Sequence, residues 1–293
     1  MSEYVLMTDS CCDLPAELAE KMGLSVLPLT FRGDSDGAKS YHDYLDGSEM
    51  SFDAFYQKMR SGEKFVTAAV NVGEFQEAME GILQQEKDIL CLCFSSALST
   101  TYQSASIAAK ELQEKYPQRN IRVIDTLSAS LGQGLLIYLT WQKKCQGLTL
   151  DELAAYVEET IPHLCHWFTV NDLEYLRRGG RLSGTMALLG TMLNIKPVLH
   201  TDSEGRLTPV SKVRGRKAAL NALIDKVGQL GQKLEEQTMF ICQSDCLEEA
   251  QQVAQTLKQR YGVQEVIIRS IGPVIGSHTG PGTMGLFFLG SQR

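Results

Sequence analysis

No stretch of this 293-residue chain is apolar enough, for long enough, to span a bilayer, so a permanent membrane anchor is not expected. Its start, Met1-Ser-Glu-Tyr-Val, lacks the basic opening and apolar run of a secretory signal. Positive charge is also in short supply: 28 Lys and Arg face 35 Asp and Glu, a net charge of −7 that argues against nucleic acid as the main partner. The eight cysteines show no paired metal-ligand spacing, and neither do His42, His163, His166 and His200, so no metal site is expected. There is no Gly-x-x-x-x-Gly-Lys-Ser/Thr loop and no Gly-x-Gly-x-x-Gly after a strand, and no Gly-x-Ser-x-Gly elbow surrounds Ser99. There is no internal repeat and no low-complexity tract. What remains is a chain of ordinary soluble composition, expected in the cytoplasm and long enough for two cores.

Within it, short apolar runs alternate with helical periodicity. Residues 4–8, 24–31, 89–94 and 121–125 read as strands; 52–60, 73–85 and the stretches after Ser99, Ser128 and Thr149 read as helices. Asp13 is placed to cap a helix with Pro15 in its first turn, and residues 32–50 read as a polar surface excursion. Cys91 and Cys93 alternate in a buried strand and are expected on one side of it. The pattern changes near Pro162: residues 166–170, 195–200, 207–213, 238–242 and 265–270 read as strands, with helices over 215–230 and 245–259. The expected architecture is α/β with two domains, 1–162 around a mostly parallel sheet and 163–293 around a mixed sheet, and a ligand between them.

In an open parallel sheet, ligands bind beyond the carboxyl ends of the strands. Asp9-Ser10, Ser95–Thr101 and Asp125–Ser128 leave such ends, and Thr67 joins them on a turn. Ser99 stands at a helix start, where free N–H groups favour an anion or are simply capped by the serine. Near the chain's end, Ile271-Gly-Pro-Val-Ile-Gly-Ser-His278-Thr-Gly-Pro-Gly282 reads as a glycine-rich loop holding one imidazole beside an apolar strand. That combination suits a ligand with a polar head and an apolar body. Arg177-Arg178-Gly-Gly-Arg181 places guanidinium groups on a turn, either as an anion clamp or as basic charge against a helix end. A serine hydrolase using Ser99, His278 and an acid such as Asp9 is the alternative the same residues leave open.

Several of these stretches resemble the DegV family: Asp9-Ser-Cys-Cys-Asp-Leu-Pro15, Phe94-Ser-Ser-Ala-Leu-Ser-Thr-Thr-Tyr102, Leu173-Glu-Tyr-Leu-Arg-Arg-Gly-Gly-Arg-Leu182, Asn194-Ile-Lys-Pro-Val198 and residues 272–282. They come in that family's order and run through the whole chain. The resemblance implies a long-chain fatty acid bound between two α/β domains. It also implies the role of fatty-acid-binding subunit of bacterial fatty acid kinase, presenting the carboxylate to a separate ATP-dependent catalytic subunit and not catalytic alone. Carried over by position, it assigns the carboxylate to Thr67, Ser99 and His278, and phosphoryl transfer or kinase docking to Arg178 and Arg181. Met186, Leu188, Leu189, Met192, Met284, Leu286 and Phe287 are candidates for the tail pocket, with ordinary core as the other reading. The sequence departs from relatives at Ala68-Ala-Val-Asn71 after Thr67 and at Thr100 after Ser99. No cofactor is implied beyond the bound lipid.

Overall fold

The computed structural model describes residues 3–37, 39–183 and 194–293. The chain opens with β1 (Tyr4–Asp9), α1 (Ala16–Lys21), β2 (Ser25–Leu27), β3 (Thr30–Gly33) and β4 (Tyr41–His42). It continues through α2 (Phe52–Arg60), β5 (Phe65–Ala68), α3 (Val72–Leu83), β6 (Asp88–Cys93), α4 (Thr101–Lys115) and β7 (Ile121–Asp125). Two helices follow, α5 (Leu131–Cys145) and α6 (Leu150–Thr160), then β8 (Leu164–Thr169), α7 (Glu174–Arg178), β9 (Ile195–Thr201) and β10 (Leu207–Arg214). The last elements are α8 (Arg216–Leu230), β11 (Thr238–Gln243), α9 (Leu247–Tyr261), β12 (Glu265–Ser270), α10 (Pro273–Thr279) and β13 (Met284–Leu289).

Local chemistry accounts for most of these boundaries. Ser51 caps α2 by accepting from the Ala54 N–H, and Asn71 and Thr149 form capping boxes with Glu74 and Glu152 at the starts of α3 and α6. Phe75, Met79 and Leu83 recur every four residues and give α3 one buried face. Every residue of β6 is buried, as a central parallel strand covered on both faces requires. Cys91 and Cys93 do share a side of it, their sulfurs 3.5 Å apart.

The strands form three sheets. β2-β1-β6-β7 is parallel throughout, and β10-β9-β8-β13-β11-β12 is mixed, with only the β11–β12 pair parallel. The third, β4-β3-β5, is small and antiparallel. It replaces two expectations. The strand expected over 24–31 is cut at Pro28, which has no N–H for a ladder; β2 stays in the parallel sheet and β3 leaves it. Leu29 is held at the break, its N–H donating to Ser10 Oγ (3.0 Å) and its carbonyl accepting from Asp43 N (2.8 Å). The polar excursion over 32–50 therefore contributes β4 and buries Asp43.

Two further expectations are corrected. The helix after Pro15 begins without a side-chain cap. Asp13 sits in a left-handed conformation (φ 51°) and sends its carboxylate to Gly272, 259 residues away. The glycine-rich segment before β13 is not a loop but holds α10, started by Pro273 at its first position and ended by Gly280 at φ 77°. Gly276 lies where a Cβ would come within 2.6 Å of the Tyr56 hydroxyl, so the helix can pack on α2 only with glycine there.

Candidate functional site

A cavity of about 500 Å³ lies beyond the carboxyl end of β6, the place an open parallel sheet reserves for ligands. Its wall draws on β5, the loops after β6 and β7, β8, the segment after α7, α10 and β13. Residues 67–130 thus face residues 166–287 across it. Phe94, Phe168, Leu207, Ile271, Ile275 and Phe287 supply apolar surface. Thr67, Ser99, Arg181 and His278 line the same cavity, so the structure brings together four of the residues singled out from sequence.

Thr67 is not on a turn at the parallel sheet. It lies within β5, opposite Phe31 in register, and its Oγ1 is 2.8 Å from His278 Nε2. His278 reaches it from the last turn of α10. Its other nitrogen, Nδ1, is buried without a hydrogen-bond partner among the described residues, against Gly179. A Cβ on Gly179 would stand 2.2 Å from that nitrogen, so the second residue type in Arg-Gly-Gly-Arg is what leaves the ring its place. Burial, with Arg181 and Arg178 nearby, lowers the imidazole's pKa from 6.5 to about 4, and the ring is neutral at pH 7.

Ser99 sits two residues before Thr101, accepting from its N–H (3.3 Å) and bonding its hydroxyl (2.9 Å) at the start of α4. Both sequence readings hold together there: the serine caps locally while its side chain borders the cavity. Arg178 and Arg181 behave differently. Arg178 is exposed, its guanidinium carbon 5.1 Å from the centre of the Tyr175 ring. Arg181 does not project freely, as its turn position suggested. It is part-buried, and its guanidinium donates to the carbonyls of Leu98 (3.1 Å) and Gly179. It thereby pins the loop that carries Ser99.

The tail candidates divide. In β13, Phe287 lines the cavity, whereas Met284 and Leu286 point through the opposite face into a core with Trp167, Leu223 and Val253. The strand's period of two makes this division, since 284 and 286 share a face that 287 does not. Met186, Leu188, Leu189 and Met192 lie outside the described residues.

Residues that the sequence did not mark as ligand-binding also shape the site. Asp13 Oδ1 accepts from the Gly272 N–H (2.9 Å) and Asp43 Oδ2 from the Val274 N–H (3.2 Å), so two buried carboxylates hold the front of the helix that ends in His278. Burial raises Asp13 from 3.8 to about 7, against the lowering effect of bonds from Ser130 and Gly272, and it pushes Asp43 up well above the usual range. Asp43 had no local signal. Asp13 had one, and it pointed to the wrong helix. His166, set aside in the sequence for want of metal-ligand spacing, faces the cavity from β8 with Nδ1 2.9 Å from the Leu164 carbonyl, and burial drives its pKa down. Ser95 ties the two sides together by donating to the Gly205 carbonyl (3.0 Å).

A hydrolytic triad is not assembled. The Ser99 hydroxyl bonds Thr101 and His278 bonds Thr67. Asp9, buried and raised to about 6 by burial, accepts from the N–H groups of Phe94 (2.8 Å) and Cys11 (3.1 Å) and from Gln133.

The sequence pattern of the family described as "Uncharacterised protein, DegV family" matches residues 3–291. The chain belongs to the DegV family. It is 43% identical to a DegV domain-containing protein of Clostridium perfringens, over 100% of this chain and 99% of that one. Among solved structures, a DegV lipid binding protein of Thermotoga maritima is similar with a TM-score of 0.86 and 30% identity, covering 99% of both chains. A DegV family protein of Thermus thermophilus, described by its fatty acid binding, is similar with a TM-score of 0.86 and 31% identity, over 99% of this chain and 100% of that one. Among the described residues, no helix is long and apolar enough to cross a membrane.

Proposed function

We propose that this chain binds a long-chain fatty acid and presents its carboxylate to a separate ATP-dependent kinase subunit. The observation that carries this reading is the make-up of the cavity: an apolar interior beside a polar set of two hydroxyls and a neutral imidazole. Each methylene buried there contributes on the order of 0.8 kcal/mol, so a long acyl chain binds by apolar contact alone. The carboxylate finds donors in Thr67, Ser99 and His278, which offset the cost of removing it from water. The fatty acid binding described for the Thermus thermophilus relative, and the lipid binding described for the Thermotoga maritima one, support the same reading.

Such donors leave the carboxylate without a bidentate cation, and hence nucleophilic. In the transfer we assign to the pair, a carboxylate oxygen attacks the γ-phosphorus of ATP on the kinase. The acyl O–P bond forms, the bond from the γ-phosphorus to the β,γ-bridging oxygen breaks, and ADP leaves. The sequence supports a partner in this step because it lacks a nucleotide-phosphate loop of its own. Arg178, exposed beside the site, is our candidate for the incoming phosphoryl group or for an acidic face of the kinase. Titrating delipidated protein with palmitate by calorimetry tests the binding. Saturation at one chain per protein, with weaker affinity in Thr67→Val with Ser99→Ala, is expected; equal titration of the variant would remove both hydroxyls from the head-group site.

A further inference from the structure

A second cavity, of about 590 Å³, adjoins the first. Thr67, Arg181 and His278 line both, so the two spaces meet at the proposed carboxylate site. Their walls have opposite characters. The first is built largely of aromatic and aliphatic side chains, whereas Arg32, Lys64, Arg178 and Arg181 line the second against one carboxylate, Asp34. On a chain of net charge −7 this is a local inversion of sign.

The cations are also uncommitted. Among the described residues none of the four is paired with a carboxylate: Arg178 lies over an aromatic ring, and Arg181 donates to carbonyls. Asp34 is occupied with the backbone, accepting from the Lys64 N–H at 3.3 Å. β3 and β5 bring the two new residues into place. Arg32 stands opposite Val66, and Lys64 precedes Val66 by two residues, so the three share a face of the small sheet. Thr67 belongs to the other face, but β5 is that sheet's edge, and the second cavity wraps it so that Thr67 and the Arg32–Lys64 face both border the same space.

A free carboxylate at Thr67 and His278 gains little from these charges, since hydroxyls and a neutral ring already satisfy it. A phosphate joined to that carboxylate is different. It would extend past the pair, away from the apolar cavity, and bring two negative charges that neutral donors cannot balance. Guanidinium and ammonium groups converging on one space are the usual answer to a phosphate dianion.

We propose that the second cavity is a phosphate compartment, with Arg32 and Lys64 as phosphate-binding residues beside Arg178. It receives the head group of an acyl phosphate whose chain lies in the first cavity. This rests on the fatty-acid reading above.

The test compares two ligands on Arg32→Ala/Lys64→Ala and on the wild type. One is palmitate. The other is the stable analogue of palmitoyl phosphate in which a methylene replaces the bridging oxygen. Calorimetry should show palmitate affinity unchanged in the variant and analogue affinity lowered about tenfold or more, with the wild-type analogue affinity falling as salt is raised. Analogue affinity that does not change overturns the compartment. So does a parallel loss of both ligands, which would place the residues in the acyl site or the fold; Arg32→Gln/Lys64→Gln and a melting curve guard against a damaged sheet. If the wild type binds neither ligand, the fatty-acid reading itself fails. Inorganic phosphate, added to palmitate-loaded protein, separates the sources. Chemical-shift changes at Gly33 and Phe65, which line the same cavity and are unchanged in the variant, show that free phosphate is taken as well if the variant loses them, and their absence in the wild type shows that the phosphate must be attached to the chain; either result keeps the site a phosphate site.

Discussion

At the residue scale the protein relies on groups kept uncharged or costly to charge. His278 titrates near 4 because burial and two arginines oppose its cation. Its folded value lies below the ordinary 6.5, so its contribution to stability is present above about 6.5 and lost as the pH falls toward about 4. An arriving carboxylate favours the cation and should raise that value. Nitrogen NMR of the lipid-free protein is expected to give a midpoint near 4 that moves up with palmitate; a midpoint near 6.5 without lipid would mean a solvated ring. Asp13 has the opposite sign. Raised from 3.8 to about 7 by burial, it contributes stability at low pH that is lost as the pH rises through about 7. Asp13→Asn removes that dependence, so the variant's melting temperature relative to the wild type should improve from pH 5 to pH 8. A constant difference would show that Asp13 keeps an ordinary pKa.

At the element scale, α10 and the turn after α7 are the working parts. α10 is held at its front by Asp13 and Asp43 and ends in His278, which fits only because Gly179 has no Cβ. Gly179→Ala is expected to push the imidazole off Thr67 and weaken palmitate binding by roughly 1–3 kcal/mol, while Gly180→Ala, whose Cβ meets nothing within 4 Å, tests the strain of its φ of 70° alone. Comparable binding in the wild type and Gly179→Ala would show that the ring can shift without cost. Arg181→Ala frees the Leu98 carbonyl and should loosen the Ser99 loop, lowering lipid retention as well as any transfer. Full retention would return Arg181 to the role of a projecting charge.

These elements also show what a sequence reveals. Caps and periodicity carry their own local chemistry, so the helices after Ser51 and Thr149 were legible; Thr67, Ser99 and His278 were each marked in the sequence but grouped only by the family resemblance, and all three border the cavity. Asp13 was misread because its partner is 259 residues distant, and a helix-cap residue looks the same whichever helix it caps. α10 was hidden by its glycines, which usually end helices; here Gly276 answers to Tyr56, a contact no local pattern records. Met284 and Leu286 needed the face of β13 to be known, and that is set by its pairing with β8 and β11.

At the scale of the whole molecule, the cavity is a shared property of three sheets. Its apolar wall comes from both the parallel and the mixed sheet, and Thr67 comes from the third. An emptied cavity loses contacts on every side at once, so ligand removal should reach the whole fold. Delipidated protein is expected to melt at a lower temperature, restored by palmitate in a concentration-dependent way as linkage demands. Identical melting with and without lipid would separate the cavity from the stability of the fold. The most direct measurement is mass spectrometry of the protein as purified, under native conditions and after lipid extraction. The account predicts that the native mass exceeds the extracted one by a single long-chain fatty acid, identified in the extract. Native and extracted masses that agree, in protein that also fails to take up palmitate, would contradict it.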